Sequence, residues 1–249
     1  MPPQIESPRD WIVPHWPAAA TVRALITTRA GGSSRGPYKS LNLGNRVNDS
    51  ADAVAANRAI LRSLLPAEPA WLNQVHGTRV VEADAVTTPV EADASFTRSP
   101  GTVCTMLVAD CLPVLLADRH GSVVAAVHAG WRGLAAGVIE SAIAAMTCPP
   151  DQLIAYLGPA IGADAFEVGE DVRQAFLSHD SLARQAFRPH APDKWLADLF
   201  LLARQRLAAS GVSAVYGGGL CTFSDPQRFF SHRRDRVTGR MAALIWLAP

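Results

Sequence analysis

The apolar stretches of this chain are short and scattered, and that limits the fold more than any other feature. Leu112–Ala117 and Val123–Val127 are among the longest. Each has the length of a strand and falls far below the roughly 20 residues that a helix needs to cross a bilayer. Thr102–Ala109, Val114–Ala117 and Ser122–Val127 read as buried strands, and Val22–Thr28, Leu153–Leu157, Ala214–Tyr216 and Ala242–Leu247 as further strands. A helical period replaces this pattern at Val54, Ile60, Leu61, Leu64 and Leu65, which predicts a helix over Ala51–Leu65 with N-cap candidates at Asn48, Asp49 and Ser50. A second helix is expected from Leu134 to Met146, stopped by Pro149 and Pro150, and a third over Leu196–Ser210, ended by Gly211 in a left-handed cap. Strands and helices mix without strict alternation. The expected class is α+β, a single domain over residues 1–249 with mixed β-sheets flanked by helices.

Composition narrows the partners. Hydrophobic residues make up 49% and charged residues 18%, which excludes a disordered chain. The 23 basic and 22 acidic side chains leave a net charge of +1 with no basic tract, so neither nucleic acid nor an anionic membrane is an expected partner. The opening residues, Met1 to Glu6, lack the basic segment and apolar stretch of a secretion signal, and the expected location is the cytoplasm. Four cysteines are too few for a disulfide framework in a chain this size, which frees a thiol for metal or catalysis. With no repeat or coiled-coil seam, a monomer is the default expectation. No strand is followed by GxGxxG, and GxxxxGK[ST] does not occur, so the common nucleotide loops are absent.

Three segments each place one metal-competent side chain among turn residues: NQVHG with His76, ADCLP with Cys111 and VHAGWRG with His128. Zinc favours nitrogen and sulfur donors, and a catalytic zinc keeps three protein ligands and one open position. The separations, 35 and 17 residues, are too long for a zinc finger, so the fold must bring the three together. Spacing alone also fits two strand-end histidines and a small buried thiol. After His128 a Gly-rich turn precedes the expected helix. Gly130, Gly133 and the cation Arg132 there suit an oxyanion such as phosphate, or simply a tight turn. The segment FFSHRRDRVTGR, with Arg233 and Arg234, and the polar groups Arg29, Ser33 and Asn42 fit either a pocket or ordinary loops.

Together these segments closely resemble the YfiH family, also called the laccase-domain or polyphenol-oxidase family. The matching pieces run in order: TTRAGGSSRGPYKSLNLG (27–44), NQVHG (73–77), ADA (92–94), ADCLPVLLAD (109–118), AAVHAGWRGLAAGV (125–138), LGPAIGADAFEVG (157–169) and CTFSDPQRFFSHRRDRVTGRMAALIWL (221–247). His232 departs from the pattern, where many members carry Tyr. The resemblance implies a YfiH-like fold, similar to that of a bacterial toxin deamidase with a Cys–His pair. It also puts His76, Cys111 and His128 on the three metal-ligand positions, with zinc as the cofactor and copper as the alternative ion.

The implied activity is that of a purine nucleoside phosphorylase and adenosine deaminase, a transferase and hydrolase. Its partners would be adenosine, inosine, guanosine or methylthioadenosine, and phosphate. Asp110 and Glu167 are the carboxylates considered for proton transfer, with Cys111 the reactive thiolate; Asp110 could instead orient a ligand and Glu167 cap a turn. Arg132, Arg233, Arg234 and the Gly130–Gly133 amides are the groups considered for phosphate. The HxE and PCxxC signature of the zinc deaminases is absent. Two rivals stand beside this reading. One is a metal-free hydrolase with Cys111 as nucleophile and His128 as base, acting on an amide such as a peptidoglycan precursor. The other is a copper-dependent polyphenol oxidase, although none of the seven histidines forms a His-x-His pair.

Overall fold

Two sheets lie face to face at the centre of the molecule, and both are covered on their outer faces. A computed structural model describes residues 10–249, so the reading of Met1 to Glu6 falls outside the described residues. The strands are β1 (Val22–Ile26), β2 (Pro69–Ala70), β3 (Val80–Glu82), β4 (Ala94–Thr97), β5 (Val103–Val108), β6 (Leu112–Asp118), β7 (Val124–Ala129), β8 (Leu153–Leu157), β9 (Glu167–Gly169), β10 (Phe187–Ala191), β11 (Lys194–Ala197), β12 (Ala214–Gly217) and β13 (Met241–Leu247). The helices are α1 (Ala51–Arg62), α2 (Trp131–Ala136), α3 (Val138–Met146), α4 (Glu170–Leu177), α5 (Leu199–Ala209) and α6 (His232–Asp235). One sheet has the order β1-β13-β5-β2, the other β12-β8-β6-β7-β4-β3, and a small third sheet has β10-β11-β9. Both large sheets mix parallel and antiparallel pairs, which is the α+β class. No helix among the described residues is long and apolar enough to cross a membrane.

The period of two explains the layering. In β6, Leu115 and Ala117 turn inward and join Ala24, Ile26, Met106 and Ile245 of the opposing sheet. Leu112, Val114 and Leu116 turn outward, under Ile139, Ala142 and Ile143 of α3 and Leu202 and Leu207 of α5. The outer face of the four-stranded sheet, through Leu25, Val103 and Leu244, is covered by Leu61 of α1 with Leu41, Leu43 and Trp71. Strands with two buried faces carry continuous apolar runs, which is why they stand out in the sequence.

Several expected elements shift. The helix expected over Leu134–Met146 is two helices, because it begins at Trp131 and breaks at Gly137, whose φ of 98° only glycine adopts cheaply. The helix expected from Leu196 begins at Leu199, where the Asp198 carboxylate accepts from the Leu201 amide; residues 194–197 pair instead with β9 and β10. The first expected strand stops at Ile26 and the first expected helix at Arg62, and Ser122–Val127 slides to Val124–Ala129. Residues 159–193, which show no clear period, hold β9, α4 and β10.

One buried amide holds the segment that will border the site. Asn57 of α1 is fully buried. Its Oδ1 accepts from the Ser33 amide (2.8 Å) and Ser33 hydroxyl (3.1 Å), while its Nδ2 donates to Ser34 Oγ (2.9 Å) and the carbonyls of Ser40 (3.2 Å) and Asn42 (2.8 Å). Asn57→Ala would orphan several of these groups at once. The expected loss is about 2–3 kcal/mol, a drop in Tm of roughly 5–10 °C. Urea unfolding that shows less than about 0.5 kcal/mol would mean that water replaces the amide.

Candidate metal centre

The chain passes from one large sheet to the other between β5 and β6, and the site forms at that crossing. Cys111 sits at the crossing itself, directly before β6. Asp110 beside it adopts a φ of 94°, unusual for a residue with a side chain. Three hydrogen bonds hold that conformation: its carboxylate accepts from the Thr222 hydroxyl (2.6 Å) and the Arg233 amide (2.7 Å), and its carbonyl from the Ile161 amide (2.9 Å). His128 lies in β7, opposite Pro113 of β6. His76 comes from the loop between β2 and β3, again with a left-handed φ of 62°. Gln74 pins this loop to β5: its Nε2 donates to the Leu107 carbonyl and its Oε1 accepts from the Leu107 amide, both at 2.8 Å.

Asp93, directly before β4, organises both histidines and is fully buried. Its Oδ1 accepts from the His76 amide (2.9 Å) and lies 2.8 Å from His128 Nδ1; its Oδ2 accepts from the amides of Val75 (3.1 Å) and Gly77 (2.8 Å). Burial would raise this carboxyl, but the hydrogen bond from His128 and those from the Gly77 and Val75 amides hold it below the usual carboxylate range. With Nδ1 donating to Asp93, His128 keeps Nε2 free as a ligand, the arrangement by which carboxylates orient metal-binding imidazoles.

The donors of His76, Cys111 and His128 all lie within 4.8 Å of one another, and the Cys111 sulfur is 3.6 Å from His76 Nε2. Tetrahedral zinc, with bonds of about 2.0–2.3 Å, separates its donors by roughly 3.3–3.8 Å. The set therefore fits one such ion after closing by about 1 Å, with a fourth position left for water or substrate. No other group of three such side chains is close enough among the described residues. Burial would push the Cys111 thiol up, but the His128 charge and hydrogen bonds from both imidazoles bring it down to about 6. Burial would lower His128, but the Cys111 charge and the bond to Asp93 raise it to about 9.

Beside these ligands opens a cavity of about 370 Å³. Val47, Leu72, Val75, Leu107 and Ala109 give it apolar walls; Arg46, His232 and Arg240 join the ligands as its charged or titratable lining. The other residues singled out from sequence do not line it. Gly130 caps α2 at its start, and a β-carbon there would come within 2.8 Å of His76 Cδ2 and 3.0 Å of the Cys111 sulfur; one at Gly133 would come within 2.9 Å of the Gly77 carbonyl. The groups nearest these glycines, where a side chain would project, are thus His76, Cys111 and the Gly77 carbonyl. Arg132 stacks on Trp131. Arg233 donates to the Glu167 carbonyl, and Arg234 to the carbonyls of Thr222, Phe223 and Phe229. Arg29 donates to the carbonyls of Lys39 and Pro226, Ser33 is held by Asn57, and Asn42 bridges Gly44, Asp49 and Arg240. Both Asp110 oxygens are engaged, and the Glu167 carboxylate lies 3.6 Å from His190. Arg29, Arg233, Arg234 and both carboxylates thus bind their own chain, while Arg132 makes no hydrogen bond or ion pair among the described residues.

The family model described as multi-copper polyphenol oxidoreductase laccase matches residues 23–248. The chain belongs to this laccase-domain family. The purine nucleoside phosphorylase PA4543 of Pseudomonas aeruginosa is 55% identical over 238 residues, covering 95% of this chain and 98% of that protein. The purine nucleoside phosphorylase YfiH of Escherichia coli is 51% identical over 239 residues, with the same coverage. Among solved structures, Neisseria meningitidis protein NMB0706 superposes with a TM-score of 0.94 at 52% identity, covering 96% of this chain and all of that one. The laccase-domain fold thus extends through all three ligand segments, Asp93 and the cavity.

Sequence reasoning passed over Asp93, Gln74 and Arg46 as site residues, and took in Arg240 only as one cation of the FFSHRRDRVTGR segment. The signal for Asp93 was a lone carboxylate between two alanines at the start of a strand. Asp93→Asn should weaken metal binding by about 10–100-fold, read by competition with a chromophoric chelator; unchanged affinity would remove Asp93 from this role. Without metal, Cys111 and His128 form a thiolate–imidazolium pair between about pH 6 and about pH 9. A metal ion needs the imidazole neutral, so binding in that window releases about one proton, and affinity should rise roughly tenfold per pH unit. A flat profile in the same titration would contradict the pairing.

Proposed function

We propose that this protein is a zinc-dependent purine nucleoside phosphorylase that also deaminates adenosine. The observation that carries the reading is the open-sided group of His76, Cys111 and His128 at the edge of a cavity with apolar walls and cationic side chains. The names of the relatives supply the reaction class. The substrates are adenosine, inosine, guanosine and methylthioadenosine, the site lies within one laccase-type domain, and the working compartment is the cytoplasm. Bound zinc supplies Lewis acidity and lowers the pKa of a water molecule toward about 7.

The chain's own residues do the rest. Leu72, Leu107 and Ala109 offer an apolar surface to the flat purine and exclude water from it. Asp93 fixes His128 so that its Nε2 stays directed at the centre. In phosphorolysis a phosphate oxygen bonds to C1′ as the C1′–N9 bond breaks with its electron pair on the purine. The hydrogen of HPO₄²⁻ ends on the base, giving ribose 1-phosphate. In deamination the oxygen of water bonds to C6 and the amino group leaves as ammonia. No carboxylate lines the cavity. Of the lining imidazoles only His232, with Nδ1 held 2.8 Å from the Arg236 carbonyl, stands outside the ligand set and can exchange a proton at Nε2.

One observation favours a second reading. Asp93, His128 and Cys111 also form the carboxylate–imidazole–thiol series of a cysteine hydrolase. Metal separates the two. The purified protein should contain about one zinc per chain, release adenine from adenosine only with phosphate, and form inosine with or without it. Chelation should abolish both reactions, and Cys111→Ala should lower both by roughly 100-fold or more, beyond the loss typical of an outer partner. A fully active Cys111→Ala protein would defeat both readings. Amide hydrolysis that survives chelation would favour the thiol.

A further inference from the structure

The cavity holds two guanidinium groups, those of Arg46 and Arg240, in a lining without a carboxylate. Arg240 is held in place from several sides. Its amide donates to Asn42 Oδ1 (2.9 Å), its carbonyl accepts from the Leu43 amide (3.1 Å), and its Nη1 donates to the carbonyls of Thr238 and Gly239, each at 3.0 Å. Its stem lies on Gly44, where a β-carbon would come within 2.8 Å of its Cγ. Nε and Nη2 have no protein acceptor, and no carboxylate pairs with the group among the described residues. Burial works against its charge, and the acidic groups that act on it, Cys111, Asp110 and Tyr38, do so through space. Arg46 lies two residues beyond Gly44, exposed, with no hydrogen bond or ion pair among the described residues. By contrast Arg29 spends Nε and Nη1, and Arg234 both of its Nη groups, on backbone carbonyls.

A guanidinium fixed at one edge with its remaining donors open to a cavity is arranged to receive a forked acceptor, and phosphate is the strongest such ligand in water. We propose that Arg240 and Arg46 form an oxyanion subsite of this cavity, occupied by inorganic phosphate. The proposal rests on the phosphorylase reading and gives its second substrate a place beside the metal ligands. The rigid Arg240 sets the position of the anion, and the free Arg46 closes over it.

The test uses the zinc-loaded protein and phosphorus NMR titration with inorganic phosphate, alongside phosphorolysis kinetics. Arg46→Gln and Arg240→Gln should each weaken phosphate binding about tenfold or more, the loss of one charged hydrogen-bond partner. KM for phosphate should rise by a similar factor, while KM for the nucleoside moves less than about twofold, a split that general damage to the site would not produce. Arg188→Gln, at an exposed ion pair with Asp164, is the control and should change neither. If Arg240→Gln does not fold, Arg46→Gln, at an exposed loop position, carries the test. Phosphate binding unchanged in Arg46→Gln and in any folded Arg240 variant overturns the proposal. So does the case in which both variants lose only adenosine 5′-phosphate and bind inorganic phosphate normally, since the subsite would then serve a nucleotide. Because the NMR titration needs no turnover, a protein that binds phosphate through these arginines but releases no adenine would overturn the phosphorylase reading and leave the subsite standing.

Discussion

The site depends on one buried carboxylate. Asp93 has no water to solvate it, so its charge is stabilised by the three amides of the His76 loop and by the ring of His128. A buried anion satisfied in this way strongly favours the conformation that satisfies it, because each lost partner leaves charge uncompensated. The left-handed turn at His76 is the geometry that points three successive amides at one side chain. The loop conformation, the orientation of His128 and the convergence of both histidines therefore follow from a single interaction. Cys111 is positioned separately, by the sheet crossing and the anchored turn at Asp110.

That division explains what could be read from sequence. The strands were legible because both faces of each large sheet are buried, which makes Leu112–Ala117 or Met241–Leu247 continuously apolar. The helix over Ala51–Arg62 was legible from its period and its Ser50 cap. The small sheet of β9, β10 and β11 was not: β10 exposes four of its five residues and so has no apolar face to announce it. The break at Gly137 was hidden because α2 and α3 are apolar on both sides of it.

At the site, the three candidate ligands were visible as side-chain types, and the family's motifs singled them out. Their convergence was not visible, since it comes from the pairing of β4, β6 and β7 and from a loop attached to the other sheet. Sequence also suggested basic residues beside a glycine-rich turn for the anion, and the structure adds what the glycines themselves accommodate. Gly130 and Gly133 leave room for His76, Cys111 and Gly77, so the turn is filled by the protein itself. Arg240 stood in the sequence as one cation among several in FFSHRRDRVTGR; what sets it apart, two nitrogens without an acceptor among the described residues, is visible only in three dimensions.

The position of β13 has a consequence for assembly. In the four-stranded sheet β1 and β5 do not touch; β13 lies between them and pairs with both, and β5 has only the two-residue β2 on its other side. Residues 22–26 and 103–108 therefore cannot complete their ladders until a segment more than 130 residues beyond them has docked, a topology of long-range pairing that forms slowly. Arg240 leads directly into that strand. Closing the sheet and bringing this cation to the cavity are thus one event, and a nascent chain has a metal-ligand loop without its full surroundings until the central strand is inserted.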